Sequence, residues 1–193
     1  MRTAPAPSDP TMAREFDTHG LLLRAVDYGE SDKVCTFLTA ERGKLAAFAR
    51  GARGSKKRFR GGIGTFTELH LVFRSRNPDA MPSLAESEAI VSHAQLGSDL
   101  VKMAVGTYVL ELLDLALHDE QGAELFPVAV RLLRWLEAEA GGTHRVEAGL
   151  HRFELLLLDT LGLLPDFGQC ARTGHALEDE VGARWLPDVG LVE

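Results

Sequence analysis

One short segment of the chain carries a dense set of basic side chains, which favours binding of a polyanion. Residues 42–60 (RGKLAAFARGARGSKKRFR) hold eight of the chain's 21 lysines and arginines and none of its 28 acidic residues. On a chain of net charge −7, such a segment attracts polyanions locally, while the acidic remainder limits how much polyanion the protein covers. The candidate contacts in the segment are Arg42, Lys44, Arg50, Arg53, Lys56, Lys57, Arg58 and Arg60.

The residues between these charges favour a nucleic acid as the polyanion. Gly51, Gly54, Gly61 and Gly62 allow the backbone to approach a phosphate chain closely. Phe59 lies among the cations, and an aromatic ring in a basic loop can stack on a base. A solvated surface loop, or a targeting or heparin-type patch, is the alternative interpretation of such a run.

The sequence lacks the motifs of common catalytic and metal sites. Neither G-x-x-x-x-G-K-[ST] nor G-x-S-x-G occurs, and the acidic residues do not form an evident catalytic pair. His144 and His151 are seven residues apart, a spacing more typical of ordinary helix positions than of a metal site. Cys170 and His175 lie close together, but two ligands are too few for a structural zinc. We therefore expect a protein that is not an enzyme and has no cofactor.

Composition and cysteine usage indicate an ordinary soluble, cytoplasmic protein. The 193 residues are 45% hydrophobic and 25% charged, enough for a sizeable core. Two cysteines do not make a disulfide framework and fit a reducing compartment. The apolar run at residues 155–158 is far shorter than the ~20 residues of a bilayer span. The N-terminal residues 1–14 have no signal-peptide core and are expected to be a disordered extension, with Met12 as an alternative start.

Residues 16–93 predict strands separated by turns. The predicted strands cover residues 16–28, 33–40, 44–50, 65–75 and 84–93. Gly20 predicts a bulge or bend in the first of them, and Leu69 and Leu71 share one face of the fourth. Five short strands without a helical period favour a five-stranded barrel of the OB type, a common platform for oligonucleotides. Arg74 and Arg76, at the end of the fourth strand, extend the predicted path of the nucleic acid.

From about residue 95 the apolar spacing changes to a helical period. The predicted helices cover residues 96–117, 124–142 and 144–165. Ser98 and Thr143 are the expected N-caps, Pro127 fits a first turn, and Pro165 is expected to end the third helix. The helices carry acidic residues that we expect on a solvated face, with docking of a basic partner as the alternative; they are Asp99, Asp114, Asp119, Glu120, Glu124, Glu137 and Glu139.

The predicted class is therefore α+β, an OB-type barrel followed by a helical domain. The expected organisation is an extension at 1–14, the barrel at 15–94, the helical domain at 95–165 and an irregular tail at 166–193.

The basic segment and the turn before it resemble the RecO family of bacterial DNA repair proteins. The matching motifs are the turn Tyr28, Gly29, Glu30 and Asp32, the strand start Gly43, Lys44 and Leu45, and the loop start Arg50, Gly51, Ala52 and Arg53. Residues 108–117 and 125–137 are similar to the family's helical domain, and residues 153–170 to the segment that enters its zinc-binding region.

The resemblance implies what the protein does and which partners it has. It implies a non-catalytic, nucleoid-associated mediator of the RecF pathway that binds single- and double-stranded DNA and anneals complementary strands. The implied protein partners are RecR, RecA indirectly, and the acidic C-terminal tail of single-strand-binding protein, docked on the helical domain. The alternative is an interaction adaptor whose basic loop binds such acidic tails, with DNA binding incidental.

Two departures from the family pattern concern zinc. The family's C-x-x-C-G begins at Cys170, but Thr173 stands at the position of its second cysteine. The sequence reaches Glu193 before the further cysteine pair that the resemblance places downstream. We therefore expect no zinc and a chain shorter than the family pattern at its C-terminus.

Overall fold

The computed structural model describes residues 14–55, 58–77, 80–177, 184–186 and 190–192. The chain divides into two compact units, Met1–His151 and Arg152–Glu193. The division falls inside the third helix, and the expected boundary at residues 94 and 95 stays a prediction. The predicted N-terminal extension lies outside the described residues, except for Arg14, which begins the first strand.

A single sheet of six strands makes up the first part of the chain. The strands are β1 (Arg14–Tyr28), β2 (Asp32–Thr39), β3 (Gly43–Ala49), β4 (Phe59–Arg60), β5 (Thr67–Ser75) and β6 (Ser83–Ser92). Their order is β3-β2-β1-β5-β6-β4, and β3 also pairs with β6 at Phe48 and Ser83, so the sheet closes on itself. The predicted α+β class and OB-type strand region are confirmed, and the sixth strand, β4, lies in the stretch predicted as a loop.

Alternating residues of the strands fill the inside of this closed sheet. Leu69, Leu71 and Phe73 of β5 are completely buried, as the period-two pattern predicts. The Phe73 ring packs edge-on against the ring of Phe37 from β2, with 6.0 Å between centroids. The same apolar cluster takes in Phe59 of β4, so the basic loop contributes to the core as well as to the surface.

β1 pairs with two neighbours and contains a register shift. Its first half pairs with β5 and its second half with β2, and the register shifts between Leu22 and Arg24. The irregularity therefore lies after the position that the sequence predicts, Gly20. Gly20 is instead needed for packing, because an added Cβ would lie 2.6 Å from Leu71 Cδ1 and 3.2 Å from the Leu38 carbonyl oxygen.

Three helices follow, α1 (Leu100–Ala116), α2 (Phe126–Ala138) and α3 (Thr143–Thr160). The N-cap of α1 is Asp99, whose carboxylate accepts hydrogen bonds from the backbone N–H groups of Val101 and Lys102 at 2.9 and 3.1 Å. The prediction of Ser98 as the cap is wrong. Ser98 belongs to a preceding 3-10 turn, where its hydroxyl donates to the Gln95 carbonyl at 2.7 Å.

α3 ends at Thr160, five residues before the predicted stop at Pro165. Gly162 adopts the left-handed conformation, with φ +68°, and the N–H of Leu163 bonds back to the Leu158 carbonyl at 2.8 Å. A glycine just beyond the last turn is a common way to end a helix. Further along, β7 (Arg184–Leu186) and β8 (Gly190–Val192) pair antiparallel within the stretch predicted as an irregular tail. Across the described ranges, no helix combines the length and the apolar character that a bilayer span requires.

Ion pairs from the helices reach the outer side of the sheet. Asp114 of α1 lies 2.8 Å from Arg24 Nε and 3.1 Å from Lys44 Nζ. Glu137 of α2 contacts the His93 ring at 2.8 Å. The prediction of a wholly solvated acidic face is therefore wrong for Asp114 and Glu137, which bind partners within the protein, whereas the capping Asp99 is exposed.

Candidate nucleic-acid interface

The turn between β1 and β2 holds the start of the basic loop in place. One oxygen of Asp32, Oδ1, accepts hydrogen bonds from the backbone N–H of Gly51 at 2.7 Å and from the Ser31 hydroxyl at 2.9 Å. The Gly51 N–H, and after it the Ser31 hydroxyl, holds the pKa of Asp32 below its usual range. Gly51 has a φ of +62°, which favours glycine at this position. The first residues of the loop are thus tied to β2.

Arg50 and Arg58 come together at this end of the closed sheet. The Arg58 guanidinium donates to the Arg50 carbonyl at 2.7 Å through Nη2 and to the Ser55 hydroxyl at 3.2 Å through Nε. Both arginine side chains are exposed, and neither forms a salt bridge with a described residue. Both guanidinium groups are therefore accessible to an anionic ligand, with the Asp32 carboxylate as a nearby negative charge.

Three of the predicted contacts are instead paired with carboxylates. The partners are Asp114 for Lys44, Asp27 for Arg53 and Glu15 for Arg74. The Lys44 side chain is only 15% exposed, and its Nζ also donates to the Leu117 carbonyl at 3.1 Å. This gives Lys44 a structural role between β3 and α1 that the sequence did not predict. Arg53 and Arg74 are half-exposed, so solvent and ligands can reach them.

Arg42 is separated from the arginine pair. It lies in the turn before β3 and Arg50 lies just after β3, so a seven-residue strand of about 20 Å separates them. The Arg42 guanidinium stacks over the Phe16 ring, 3.9 Å from its centroid.

Arg60 and Arg76 are exposed at two further edges. Arg60 pairs in register with Glu88, and both residues line an open cavity of about 200 Å³. The negative charge of Glu88 therefore lies in the same cavity as Arg60. Arg76 follows the end of β5, where Ser83 pairs with both Arg74 and Phe48. The start of β6 therefore lies between the end of β5 and the end of β3, so only one strand separates those two ends. Lys56 and Lys57 lie outside the described residues.

The structure contradicts the prediction that Phe59 stacks on a base, because its side chain is only 4% exposed and belongs to the core. Two other aromatic residues lie on the surface beside the arginines. Tyr28 and Phe48 pack edge to face with 5.3 Å between ring centroids, and the Arg50 guanidinium lies 5.9 Å from the Phe48 centroid. The sequence signal for Phe48 is the alternation of side chains along β3. Phe48 lies on the same face of the strand as Lys44 and on the opposite face from the buried Ala47.

Acidic groups close to this surface are mostly neutralised. Asp27 binds Lys33 Nζ at 2.7 Å and also binds Arg53. The hydrogen bonds from Lys33, first, and Arg53 hold the pKa of Asp27 below its usual range. The nearby Glu30 is exposed.

The described residues around Cys170 do not supply a ligand set for a zinc ion. Cys170 is buried, and its backbone N–H donates to the His175 carbonyl at 2.8 Å. Among the described residues, no three histidine, cysteine or acidic side chains lie close enough together to hold a metal. Two donors do not complete the tetrahedral set of a structural zinc.

Comparison with known proteins relates both parts of the chain to one family. The model described as Recombination protein O N terminal matches residues 12–93, and the one described as Recombination protein O C terminal matches residues 97–191. The DNA repair protein RecO of Anaeromyxobacter sp. (strain Fw109-5) is 41% identical over 182 residues, which cover 94% of this chain and 70% of that protein.

More distant relatives carry the same name. The DNA repair protein RecO of Myxococcus xanthus (strain DK1622) is 38% identical, with 83% of this chain and 64% of that protein covered. The DNA repair protein RecO of Heliobacterium modesticaldum (strain ATCC 51547 / Ice1) is 34% identical, with 92% of this chain and 63% of that protein covered. The chain spans between 60% and 70% of the length of these and other curated relatives.

Proposed function

The chain belongs to the RecO family of DNA repair proteins, and we propose that it binds single- and double-stranded DNA as a recombination mediator. The observation that carries the proposal is the anchored basic loop, in which Arg50 and Arg58 are exposed and form no salt bridge with the described residues. We further propose that the protein anneals complementary strands and helps to load RecA together with RecR, without catalytic turnover and at the nucleoid.

The proposed binding is electrostatic. Arginine and lysine side chains of the loop neutralise phosphates and release their counterions, so affinity falls steeply with salt. No helix of the described residues follows the basic loop directly, and phosphate contacts position DNA without reading its sequence. Binding is therefore expected to depend little on sequence.

Annealing follows from the same charge distribution. Two strands repel each other through their phosphates, and a cationic surface that contacts both lowers that repulsion. Because acidic residues outnumber basic ones by 28 to 21, the rest of the surface does not hold the product tightly. The protein brings strands together and releases the duplex, with base pairing as the driving force.

Charge reversal tests the assignment of the loop. The variant Lys56→Glu/Lys57→Glu/Arg58→Glu is expected to bind a labelled single strand at least tenfold more weakly at low salt, with a shallower dependence of log affinity on log salt. Fluorescence anisotropy over a salt series measures both. The matched control reverses three exposed arginines elsewhere, Arg131, Arg152 and Arg172. Equal affinity of the loop variant and the wild type would reject the loop as the site.

A protein-interaction adaptor is the second candidate function. It is favoured by the large apolar side chains that α1 leaves exposed, among them Leu100 (75%) and Leu115 (77%). On this proposal the acidic tail of single-strand-binding protein is the partner. A titration with that tail peptide, set beside a DNA titration on the same preparation, distinguishes the two functions. If the loop variant loses the tail, the basic loop binds it; if the variant loses only DNA, the tail docks elsewhere, with α1 as the candidate surface.

A further inference from the structure

We propose that Tyr28 and Phe48 form a base-stacking platform that makes the protein prefer single strands over duplex; this inference rests on the proposed function. It assigns a role to surface aromatics that the electrostatic account of DNA binding leaves unused.

The register of three strands places these aromatics on one surface. Val26 of β1 pairs with Val34 of β2, which pairs with Phe48 of β3. These three residues form a row across the outer face, since the alternate residues Cys35 and Ala47 point into the core. Tyr28 lies two residues beyond Val26 in β1 and so shares this face.

The platform is open to solvent, whereas the centre of the next row is buried. Tyr28 is 61% exposed and Val26 is 47% exposed, while Phe48 is half-buried. In the next row toward α1, Thr36 is only 4% exposed, and Arg24, although 60% exposed, is paired with Asp114 of α1. The aromatic pair therefore lies one row further from the contact between Arg24 and α1.

Charge at the platform is complementary to a nucleic acid. The Arg50 guanidinium lies beside the Phe48 ring, and Arg58 reaches the Arg50 carbonyl. Asp27, the acidic residue between Val26 and Tyr28 in the chain, is neutralised by Lys33 and Arg53. Phosphates can thus contact the arginines while a base lies against the tyrosine ring.

Stacking on this platform selects the single strand. A base in a duplex already has both faces covered by its neighbours, whereas an unpaired base can lie on an aromatic side chain. Loss of one stacking contact typically weakens binding about fivefold or more. A stacking contact carries no charge, so its loss leaves the salt dependence unchanged, unlike the loss of a loop cation.

The test compares a single-stranded oligothymidylate with an abasic strand of equal length. The wild type is expected to bind the oligothymidylate about fivefold or more tightly. Tyr28→Ala is expected to bind both strands equally, with the wild-type salt slope and unchanged affinity for duplex. Tyr28→Phe retains the ring and the preference. Tyr108→Ala, which removes the chain's other tyrosine, is the matched control.

Each other outcome has a definite meaning. If the wild type binds neither strand, the proposed DNA-binding function fails, and this inference fails with it. If the wild type binds both strands equally well with steep salt dependence, DNA binding stands and the platform is rejected. If Tyr28→Ala loses affinity for the acidic tail peptide but not for DNA, the platform binds protein instead. Thermal unfolding confirms that each variant is folded, and Phe48→Leu, which keeps an apolar side chain, provides a second variant.

Discussion

Asp32 illustrates how a carboxylate can support a cationic surface. Its oxygen accepts the Gly51 N–H at the point where the basic loop begins, so it fixes the backbone next to Arg50. Counting charges alone would class Asp32 as unfavourable for DNA binding. The hydrogen bond gives it the opposite role, because ordered cations lose less conformational entropy when they bind.

We therefore predict that Asp32→Ala lowers the affinity for single-stranded DNA by about threefold to tenfold, although it removes a negative charge. Fluorescence anisotropy at low salt measures the change. Glu30→Gln is the control, since it removes one negative charge from the same turn without touching the Gly51 N–H, and its affinity should be equal or higher. An increase in affinity for Asp32→Ala would contradict the positioning role.

The pH dependence of this anchor follows from the lowered pKa of Asp32. The carboxylate stays ionised to lower pH in the folded protein than in the unfolded chain. Its contribution is thus complete above the ordinary carboxyl pKa and is lost as pH falls through the lowered value. The difference in affinity for single-stranded DNA between Asp32→Ala and the wild type should therefore be constant around neutral pH.

At the scale of elements, a buried polar cluster joins β5 and the end of β6 to α2. The carboxylate of Glu68 accepts hydrogen bonds from Arg134 Nε at 2.9 Å and Nη2 at 2.8 Å, and it contacts the His93 ring at 3.1 Å. The other ring nitrogen of His93 contacts Glu137 at 2.8 Å. Since His93 is only 1% exposed, removing one partner leaves buried polar groups unsatisfied.

We predict that Glu68→Gln lowers the free energy of unfolding by about 1–3 kcal/mol at neutral pH. Burial raises the pKa of Glu68, but hydrogen bonds and charge from Arg134 and His93 outweigh this and leave it lowered. The stabilisation is therefore present above the ordinary glutamate pKa and is lost as pH falls through the lowered one. Urea unfolding measured from neutral to acidic pH should show that the difference in free energy of unfolding between variant and wild type becomes smaller as the pH falls.

The control for this prediction is Glu88→Gln. Glu88 is exposed on the outer side of β6, so its change should stay within about 0.5 kcal/mol. A gap for Glu68→Gln that stays constant down to strongly acidic pH would show that the carboxylate charge is not what stabilises the cluster.

At the scale of the whole molecule, the positive charges of the basic segment serve two purposes. Lys44 is held between Asp114 and the carbonyl end of α1, whereas Arg50 is exposed and forms no salt bridge with a described residue. A cation near the carbonyl end of a helix is favourable for the helix dipole. The segment therefore contains both a structural lysine and candidate ligand-binding arginines, six residues apart.

We predict opposite effects from two substitutions in this segment. Lys44→Ala should lower the free energy of unfolding by about 1–3 kcal/mol, because the Asp114 carboxylate and the backbone carbonyls of Asp114 and Leu117 lose a partner. It should change DNA affinity little under conditions where it is folded. Arg50→Ala should leave stability within about 0.5 kcal/mol and reduce both DNA affinity and its salt slope. Chemical unfolding and anisotropy on the same two variants measure the contrast, and a reversed pattern would overturn it.

Much of the fold could be predicted from the sequence because it depends on local patterns. Period-two alternation in residues 65–75 determines which face of β5 is buried, and the five predicted strands agree with the structure to within two residues at each end. The caps and ends of the helices were less predictable. Asp99 and Ser98 are both good capping residues, and only the position of the 3-10 turn decides between them.

The sequence alone determined that a cationic, glycine-rich segment follows a strand, since charge and spacing are properties of the chain itself. Which of those cations remain available was decided by tertiary structure. Their carboxylate partners are 70 residues away for Lys44 and 59 for Arg74, and only folding brings such groups within reach. For the same reason Phe59 lies in the core while Tyr28 and Phe48 lie at the surface: the strand register and the extent of the helical cover determine which aromatic rings meet solvent.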